Sequence, residues 1–276
     1  MTDQPTVLIT GATDGHGRAL AYSLATDATL ILHGRDQARL DATADDIRDT
    51  YGVERPRTVL ADLAELAQVR RMAEDVRAVT GRLDALVSNA GVGVGHPDGR
   101  TRRTSADGHE LRFAVNYLAG LLLTLELLPL LRESAPARIV NVASLGQQPL
   151  DFDDLMLERD YSGIRAYSQS KLAQIMAGFE LAERIPASEV TVNSLHPATY
   201  MPTKIVLHEM GQSIHTVEDG VAATRRLVLD PDLAGITGKF FDRTQEASAH
   251  AQAYDESARR ELWRRSLLLI DHPDIT

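Results

Sequence analysis

Residues Thr6 to Gly17 read TVLITGATDGHG, a short apolar run that breaks into closely spaced glycines at Gly11, Gly15 and Gly17. Thr6 to Thr10 is the kind of run that is buried on both faces of a parallel sheet. Ala19, Leu20 and Leu24 then supply the inward positions of a helix. Strand, glycine turn and helix in that order give the glycines a meaning: they let the backbone approach a pyrophosphate, and the helix start offers N–H groups and a positive dipole end. The candidate contacts are Gly11, Thr13, Asp14, Gly15, His16 and Gly17. The competing reading is a plain turn between packed elements. The alternation of strands and helices that follows favours the nucleotide.

Working outward, Thr29 to Leu32 is expected as a second strand, ending at His33-Gly34-Arg35-Asp36, with a helix from about Asp36 to Tyr51. Dinucleotide sites that select NAD place a carboxylate about 20 residues beyond the glycine turn, on the adenosine ribose. His33 and Gly34 are not carboxylates, and Arg35 sets a fixed positive fork where a 2′-phosphate would lie. NADP(H) is therefore expected over NAD(H). Asp36 either pairs with Arg35 or complements the start of the helix and leaves Arg35 free. Thr58 to Ala61 reads as a third strand. Asp62 and Leu63 follow at its carboxyl edge, where Asp62 is equally a cofactor contact or a cap in a box with Glu65. Ala85 to Ser88 is a fourth strand that runs into Asn89, Ala90 and Gly91.

A long helix is expected through Asn116 to Glu133, capped by Ser105 or Asp107. Asn116 sits in it between apolar residues, an unfavourable place unless its amide finds partners. It either braces a neighbour's backbone or holds a water chain to Lys171. Arg138 to Val142 is a fifth strand, and Ser144 leaves its end pointing either at a substrate or into turn chemistry. No Gly-x-Ser-x-Gly elbow is present, which argues against an α/β-hydrolase. The loop from Leu145 to Gly163 carries Asp151, Asp153, Asp154, Glu158 and Asp160 without EF-hand spacing.

Ala166 to Lys171 reads AYSQSK within a helical pattern set by Ile164, Leu172, Ile175, Met176 and Phe179. Tyr167 and Lys171 fall on one face, one turn apart. An ammonium beside a phenol favours the phenolate, and a phenol tuned in this way exchanges protons with a ketone or alcohol near neutral pH. A surface Tyr with a solvated Lys is the plain alternative. Only three of the 29 basic residues are lysines, Lys171, Lys204 and Lys239, yet this position has one. Val190 to Leu195 is a sixth strand ending in His196, Pro197, Ala198 and Thr199. Tyr200 to Ser213 has no core pattern and reads as a flap. A helix from Val217 to Leu229, a strand from Gly238 to Phe241 and a helix near Ala258 to Leu268 close the chain.

The 276 residues are 43% hydrophobic and 25% charged, ordinary for one large globular domain. A net charge of −10 argues against nucleic acid or an anionic membrane surface as the partner. No cysteine is present, so disulfides and thiol chemistry are excluded. The N-terminus lacks the basic start and apolar core of a signal peptide. The greasy run Leu118 to Leu131 looks too short to span a bilayer. No metal-ligand spacing occurs. A cytoplasmic location is expected. The leucines of that run lie on nearly all sides of its helix, so a homodimer or homotetramer is expected to cover part of it.

These elements make an α/β protein with a doubly wound parallel sheet, helices on both faces, in one domain over residues 1–276. Taken in order, Thr10-Gly-x-x-x-Gly-x-Gly17, Asp62, Asn89-Ala-Gly91, Asn116, Ser144, Tyr167-x-x-Ser-Lys171 and the Pro197 segment resemble the short-chain dehydrogenases/reductases over nearly the whole chain. Within that family the sequence is most similar to the retinol-dehydrogenase-like branch. Asp107-Gly-x-Glu110, Asp151 to Leu155, Gln169 to Leu172 and Gly238 to Phe241 carry that likeness. The resemblance implies a Rossmann fold and NAD(P)-dependent carbonyl reduction or alcohol oxidation on a small apolar substrate. By the same resemblance Tyr167 is the general acid/base. Lys171 tunes Tyr167 and bonds the nicotinamide ribose, Ser144 holds the substrate oxygen, and Asn116 supports a proton relay. Pro197 and Thr199 border the nicotinamide. A non-catalytic nucleotide sensor on the same fold is the alternative, but it has no need of Ser144, Tyr167 and Lys171 together. Three positions depart from the family pattern: His16 for Ile, Ala198 for Gly and Gln174 for Asn. Gly often serves where dihedrals are special, so Ala198 puts the loop after Pro197 in question.

Overall fold

A computed structural model describes residues 4–95, 99–199 and 216–275. The segment expected as a flap, Tyr200 to Ser213, lies outside the described residues. The chain begins with β1 (Thr6–Ile9), α1 (Gly15–Leu24), β2 (Thr29–Gly34), α2 (Gln37–Tyr51), β3 (Arg57–Leu60), α3 (Leu66–Val79) and β4 (Ala85–Ser88). It continues with α4 (Leu111–Glu133), β5 (Ala137–Val142), α5 (Gly163–Arg184), β6 (Val190–His196), α6 (Val217–Leu229), β7 (Lys239–Asp242), β8 (Gln245–Ala247) and α7 (Glu256–Leu269). The sheet order is β3-β2-β1-β4-β5-β6-β7-β8. The first seven strands are parallel and β8 pairs antiparallel with β7. This bears out the doubly wound architecture. The short strand β8 has mostly exposed residues and no apolar run, which is why the sequence does not reveal it.

Because helices cover both faces, the central strands are apolar along their whole length, and Val7, Leu8 and Ile9 of β1 are all fully buried. One core layer joins α1, α2 and α6 to the sheet through Leu20, Leu24, Leu40, Ile47, Val221 and Leu227. The other joins α3, α4, α5 and α7 through Val69, Met72, Leu122, Ile175, Leu262 and Trp263. The chain moves from β1 toward β3 and then restarts on the other side of β1 with β4. The carboxyl ends of β1 and β4 therefore diverge into a crevice, the position where open α/β sheets bind ligands.

Two expectations about helix ends change. Helix α3 starts at Leu66, not at Asp62. Asp62 instead closes a local turn by accepting from Ala64 N–H at 2.9 Å. The Leu66 N–H is capped by Asp107 Oδ2 at 3.0 Å, from 41 residues further along the chain. Helix α4 is capped by neither Ser105 nor Asp107 but by Glu110, which accepts from Phe113 N–H at 2.7 Å.

With 23 residues, α4 is long and apolar enough to cross a membrane, so the sequence argument that the run is too short does not hold. Most of the helix is nonetheless buried inside the fold, and Leu121, Leu122, Leu123, Leu125, Leu127, Leu128, Leu130 and Leu131 are all covered by this one chain. The leucines on which the expectation of a second subunit rested are thus buried within this one chain.

Candidate active site

At the end of β1 the backbone turns through Gly11 at φ +67°, and a Cβ there would come within 2.9 Å of Ala90 Cα. Gly17 is equally constrained, since a Cβ would sit 2.3 Å from both Asn89 Nδ2 and Gly11 O. Only glycine allows the turn after β1 to press on the turn after β4. Asp14 caps α1 by accepting from Gly15 N–H at 2.8 Å. Arg18 N–H donates to Asp14 O at 3.2 Å, and His16 and Gly17 precede it in the first turn, where a helix leaves its N–H groups without intrahelical partners. The cradle suits a pyrophosphate, with a close-approach backbone and donors at a helix start. Thr10 Oγ1 accepts from Asn89 N–H at 2.9 Å and Ala90 N–H at 3.0 Å, which locks Asn89-Ala-Gly91 onto the same turn.

Arg35 is exposed at the end of β2, with no carboxylate in ion-pair reach among the described residues. Asp36 does not pair with it. It caps α2 by accepting from Arg39 N–H at 3.0 Å. A second cation is present that sequence reading missed. Arg39 reaches back from the first turn of α2 to donate to Thr13 O at 3.1 Å and Asp14 Oδ2 at 2.8 Å. Its position four residues beyond Arg35, in the first turn of α2, was the available signal. His33, noticed only for not being a carboxylate, turns out to be an interior brace. Its Nδ1 accepts from Gly11 N–H at 3.2 Å while Nε2–H donates to Ala61 O at 3.1 Å. Burial pushes its pKa down to about 4, so the ring is neutral at pH 7. Leu63 is buried just beyond Asp62.

At the open end of β5, Ser144 Oγ accepts from Gly146 N–H at 3.0 Å. Tyr167 on α5 approaches the same spot: a Cβ on Gly146 would meet Ser144 Oγ at 3.4 Å and the Tyr167 ring edge at 3.9 Å. Lys171 Nζ lies 5.9 Å from the centre of the Tyr167 ring. Lys171 is buried and donates to Val142 O at 2.8 Å and Gln174 Oε1 at 3.4 Å. Burial lowers its pKa to about 8, which leaves it mostly cationic at neutral pH.

Asn116 falls in a π-helical turn, Ala114–Leu118, inside α4. The wider turn accounts for a polar residue mid-helix. Its amide accepts from Val92 N–H at 2.7 Å and donates to Val92 O at 3.1 Å and Ser170 Oγ at 3.0 Å. The side chain thus braces the backbone at Val92. Gly91 brings this amide near the lysine, because a Cβ there would meet Asn116 Oδ1 at 3.1 Å and Lys171 Nζ at 3.8 Å. Ser144, Tyr167, Lys171 and Asn116 thus gather where the Asn89-Ala-Gly91 turn meets β5.

A model of the short chain dehydrogenase family matches residues 5–210. The chain belongs to this family. Retinol dehydrogenase 14 from Mus musculus is 36% identical over 296 residues, covering 96% of this chain and 85% of that protein, and places the chain in the retinol-dehydrogenase-like branch. A short chain dehydrogenase from Salmonella enterica serovar Typhi superposes with a TM-score of 0.72 at 27% identity, covering 87% of this chain and 96% of that one. A short chain dehydrogenase from Escherichia coli CFT073, solved with NADPH, gives 0.71 at 26%, covering 87% and 97%.

Against that family, the three departures have local explanations. Ala198 is buried and its φ is not positive, so the residue there does not call for glycine's left-handed region. Pro197 and Thr199 follow β6, and Thr199 Oγ1 lies 3.0 Å from His196 Nε2. Gln174 takes the Lys171 ammonium on one side and donates to Ser88 O at 3.4 Å on the other. His16 turns its ring into the interior rather than toward a ligand, as its 7% exposure shows.

A fully buried Arg112 also went unread. It donates to Gly93 O and Val94 O, both at 2.8 Å, and to the Tyr161 hydroxyl at 2.5 Å, with Glu110 beside it at 3.6 Å. Arg112 thereby ties the segment after Gly91 to the loop before Tyr167. Two acids of that loop hold its backbone. Asp154 accepts from Glu158 N–H and Arg159 N–H, and Asp151 from Asp153 N–H. Among the described residues no cluster of possible metal ligands occurs.

Proposed function

We propose that this short-chain dehydrogenase is an NADP(H)-dependent oxidoreductase that interconverts an apolar carbonyl compound and its alcohol. The observation that carries the reading is the meeting of Ser144 Oγ and the half-buried Tyr167 ring at Gly146, with Lys171 Nζ 5.9 Å from that ring. The dinucleotide would lie across the turns after β1 and β4 and supply or accept the hydride. Ser144 holds the substrate oxygen by its hydroxyl. Tyr167 gives that oxygen a proton during reduction and removes it during oxidation. Lys171 keeps a positive charge by the ring that favours the phenolate, and with two of its three donors on Val142 O and Gln174 Oε1 it has one left for a ribose hydroxyl. Asn116, held by Val92 and Ser170, supports the return of protons to Lys171.

NADP(H) over NAD(H) rests on Arg35, which is exposed, has no ion-pair partner among the described residues and is relieved of Asp36 by the cap on α2. The NADPH complex of the Escherichia coli relative is in keeping with this. An apolar substrate is supported by relatives named for retinol. A cytoplasmic setting belongs to the same reading. Titrating both dinucleotides into wild type and Arg35→Ala tests the cofactor assignment. NADP(H) affinity should fall by about tenfold or more in the variant, with much less change for NAD(H). Equal wild-type affinity for the two, or an unchanged ratio in Arg35→Ala, would overturn it.

A further inference from the structure

The chain carries His16 where the family pattern has Ile, and the ring makes two directed contacts in the interior. His16 Nδ1 lies 2.9 Å from Asn89 Oδ1, and Nε2 lies 3.1 Å from Thr224 Oγ1 on α6. The tautomer follows from the neighbours. Asn89 Nδ2 donates to Thr10 O at 2.8 Å and Gly11 O at 3.3 Å, so its Oδ1 is the atom facing the histidine and can only accept. His16 Nδ1 therefore carries the hydrogen. Burial holds the pKa of His16 below its ordinary value, and in the neutral ring Nε2 presents a lone pair to the Thr224 hydroxyl. Thr224 is itself fully buried, and its single hydroxyl hydrogen is shared between that lone pair and Gly220 O at 2.9 Å.

Asn89 is central to the dinucleotide cradle. Its amide holds two carbonyls of the glycine turn, and Gly17 packs on it so closely that a Cβ would sit 2.3 Å from its nitrogen. A rotation of Asn89 would release Thr10 O and Gly11 O together. An isoleucine at 16 would fill the space but could not restrain that rotation. We propose that His16 is a positioning residue for the dinucleotide, fixing Asn89 under the glycine turn and linking that turn to α6 through Thr224. The inference rests on the cofactor reading above and adds a residue that acts through Asn89.

The test separates hydrogen bonding from packing. His16→Ile keeps bulk and removes both contacts. His16→Asn places an amide near the Nδ1 position and can still donate to Asn89, whereas His16→Gln reaches toward Thr224 instead. Dinucleotide Kd is measured by calorimetry for each variant, with melting by circular dichroism as the folding control. His16→Ile and His16→Gln should weaken binding by about five- to tenfold, and His16→Asn should recover most of it. Thr224→Val should weaken binding in the wild-type background and have less effect beside His16→Ile, because the two act in one chain of contacts. Thr224→Val alone carries the test if Ile at position 16 does not fold. Unchanged Kd in His16→Ile, an equal loss in all three His16 variants, or strictly additive effects of the two sites would overturn the proposal. A wild type that binds neither dinucleotide would sink the cofactor reading instead.

Discussion

Lys171 shows how much of the chemistry one buried side chain sets. Desolvation alone moves its pKa to about 8, and Val142 O and Gln174 Oε1 are shaped for a compact ammonium rather than a planar fork. Lys171→Ala should lose both dinucleotide affinity and turnover, and Lys171→Arg should restore neither, as binding and steady-state assays would show. Recovery by Arg would mean that only a positive charge is needed there. His33 governs a different property. With a folded-state pKa near 4 against an unfolded value near 6.5, the unfolded chain binds the extra proton between those values. The stability His33 provides is therefore complete above pH 6.5 and is lost as pH falls toward 4, at up to about 1.4 kcal/mol per pH unit. Denaturant melts across that window should show a shallower pH slope in His33→Asn, which keeps an acceptor for Gly11 N–H but cannot ionise. An unchanged slope would place the acid sensitivity elsewhere. Tyr167 and Lys171 were legible because a helix brings i and i+4 together whatever else the chain does. His33 and Arg39 were not, because their partners Gly11, Ala61, Thr13 and Asp14 are brought close only by the packing of β1, β2 and β3.

Helix bodies were easier to read than helix ends. Val217–Leu229 has the bounds its pattern implies, as does the strand Ala85–Ser88. The cap of α3 comes from Asp107, a partner that no local window contains. Helix α4 gives the sharper lesson. Its apolar residues on nearly all sides suggested a second subunit, but the pattern records only that the faces are covered, not by which chain. Here α3 and the strands β4 and β5 pack against it within the same core layer. Leu122→Ala should accordingly cost about 2–5 kcal/mol in chemical denaturation, independent of protein concentration. A loss that shrinks as concentration rises would instead put Leu122 at a subunit contact.

On the scale of the whole molecule, the sheet order fixes where chemistry can occur. The reversal between β1 and β4 opens the crevice for a dinucleotide, and the end of β5 with α5 brings Ser144, Tyr167 and Lys171 to its side. The order of motifs along the chain made that arrangement legible. What the sequence leaves unread is the arrangement of the loops after Gly91 and before Tyr167, because they are joined by long-range contacts such as those of Arg112 with Gly93, Val94 and Tyr161. The central claim is proton transfer by Tyr167 during dinucleotide-dependent reduction of a carbonyl. The most direct measurement follows nicotinamide absorbance for wild type and Tyr167→Phe with a panel of apolar ketones, aldehydes and their alcohols, alongside dinucleotide titration of both proteins. Wild type should turn over at least one of these substrates, and Tyr167→Phe should bind the dinucleotide equally well but turn over slower by about 10² or more. Tight dinucleotide binding without turnover by wild type, or a Tyr167→Phe variant as fast as wild type, would contradict the account.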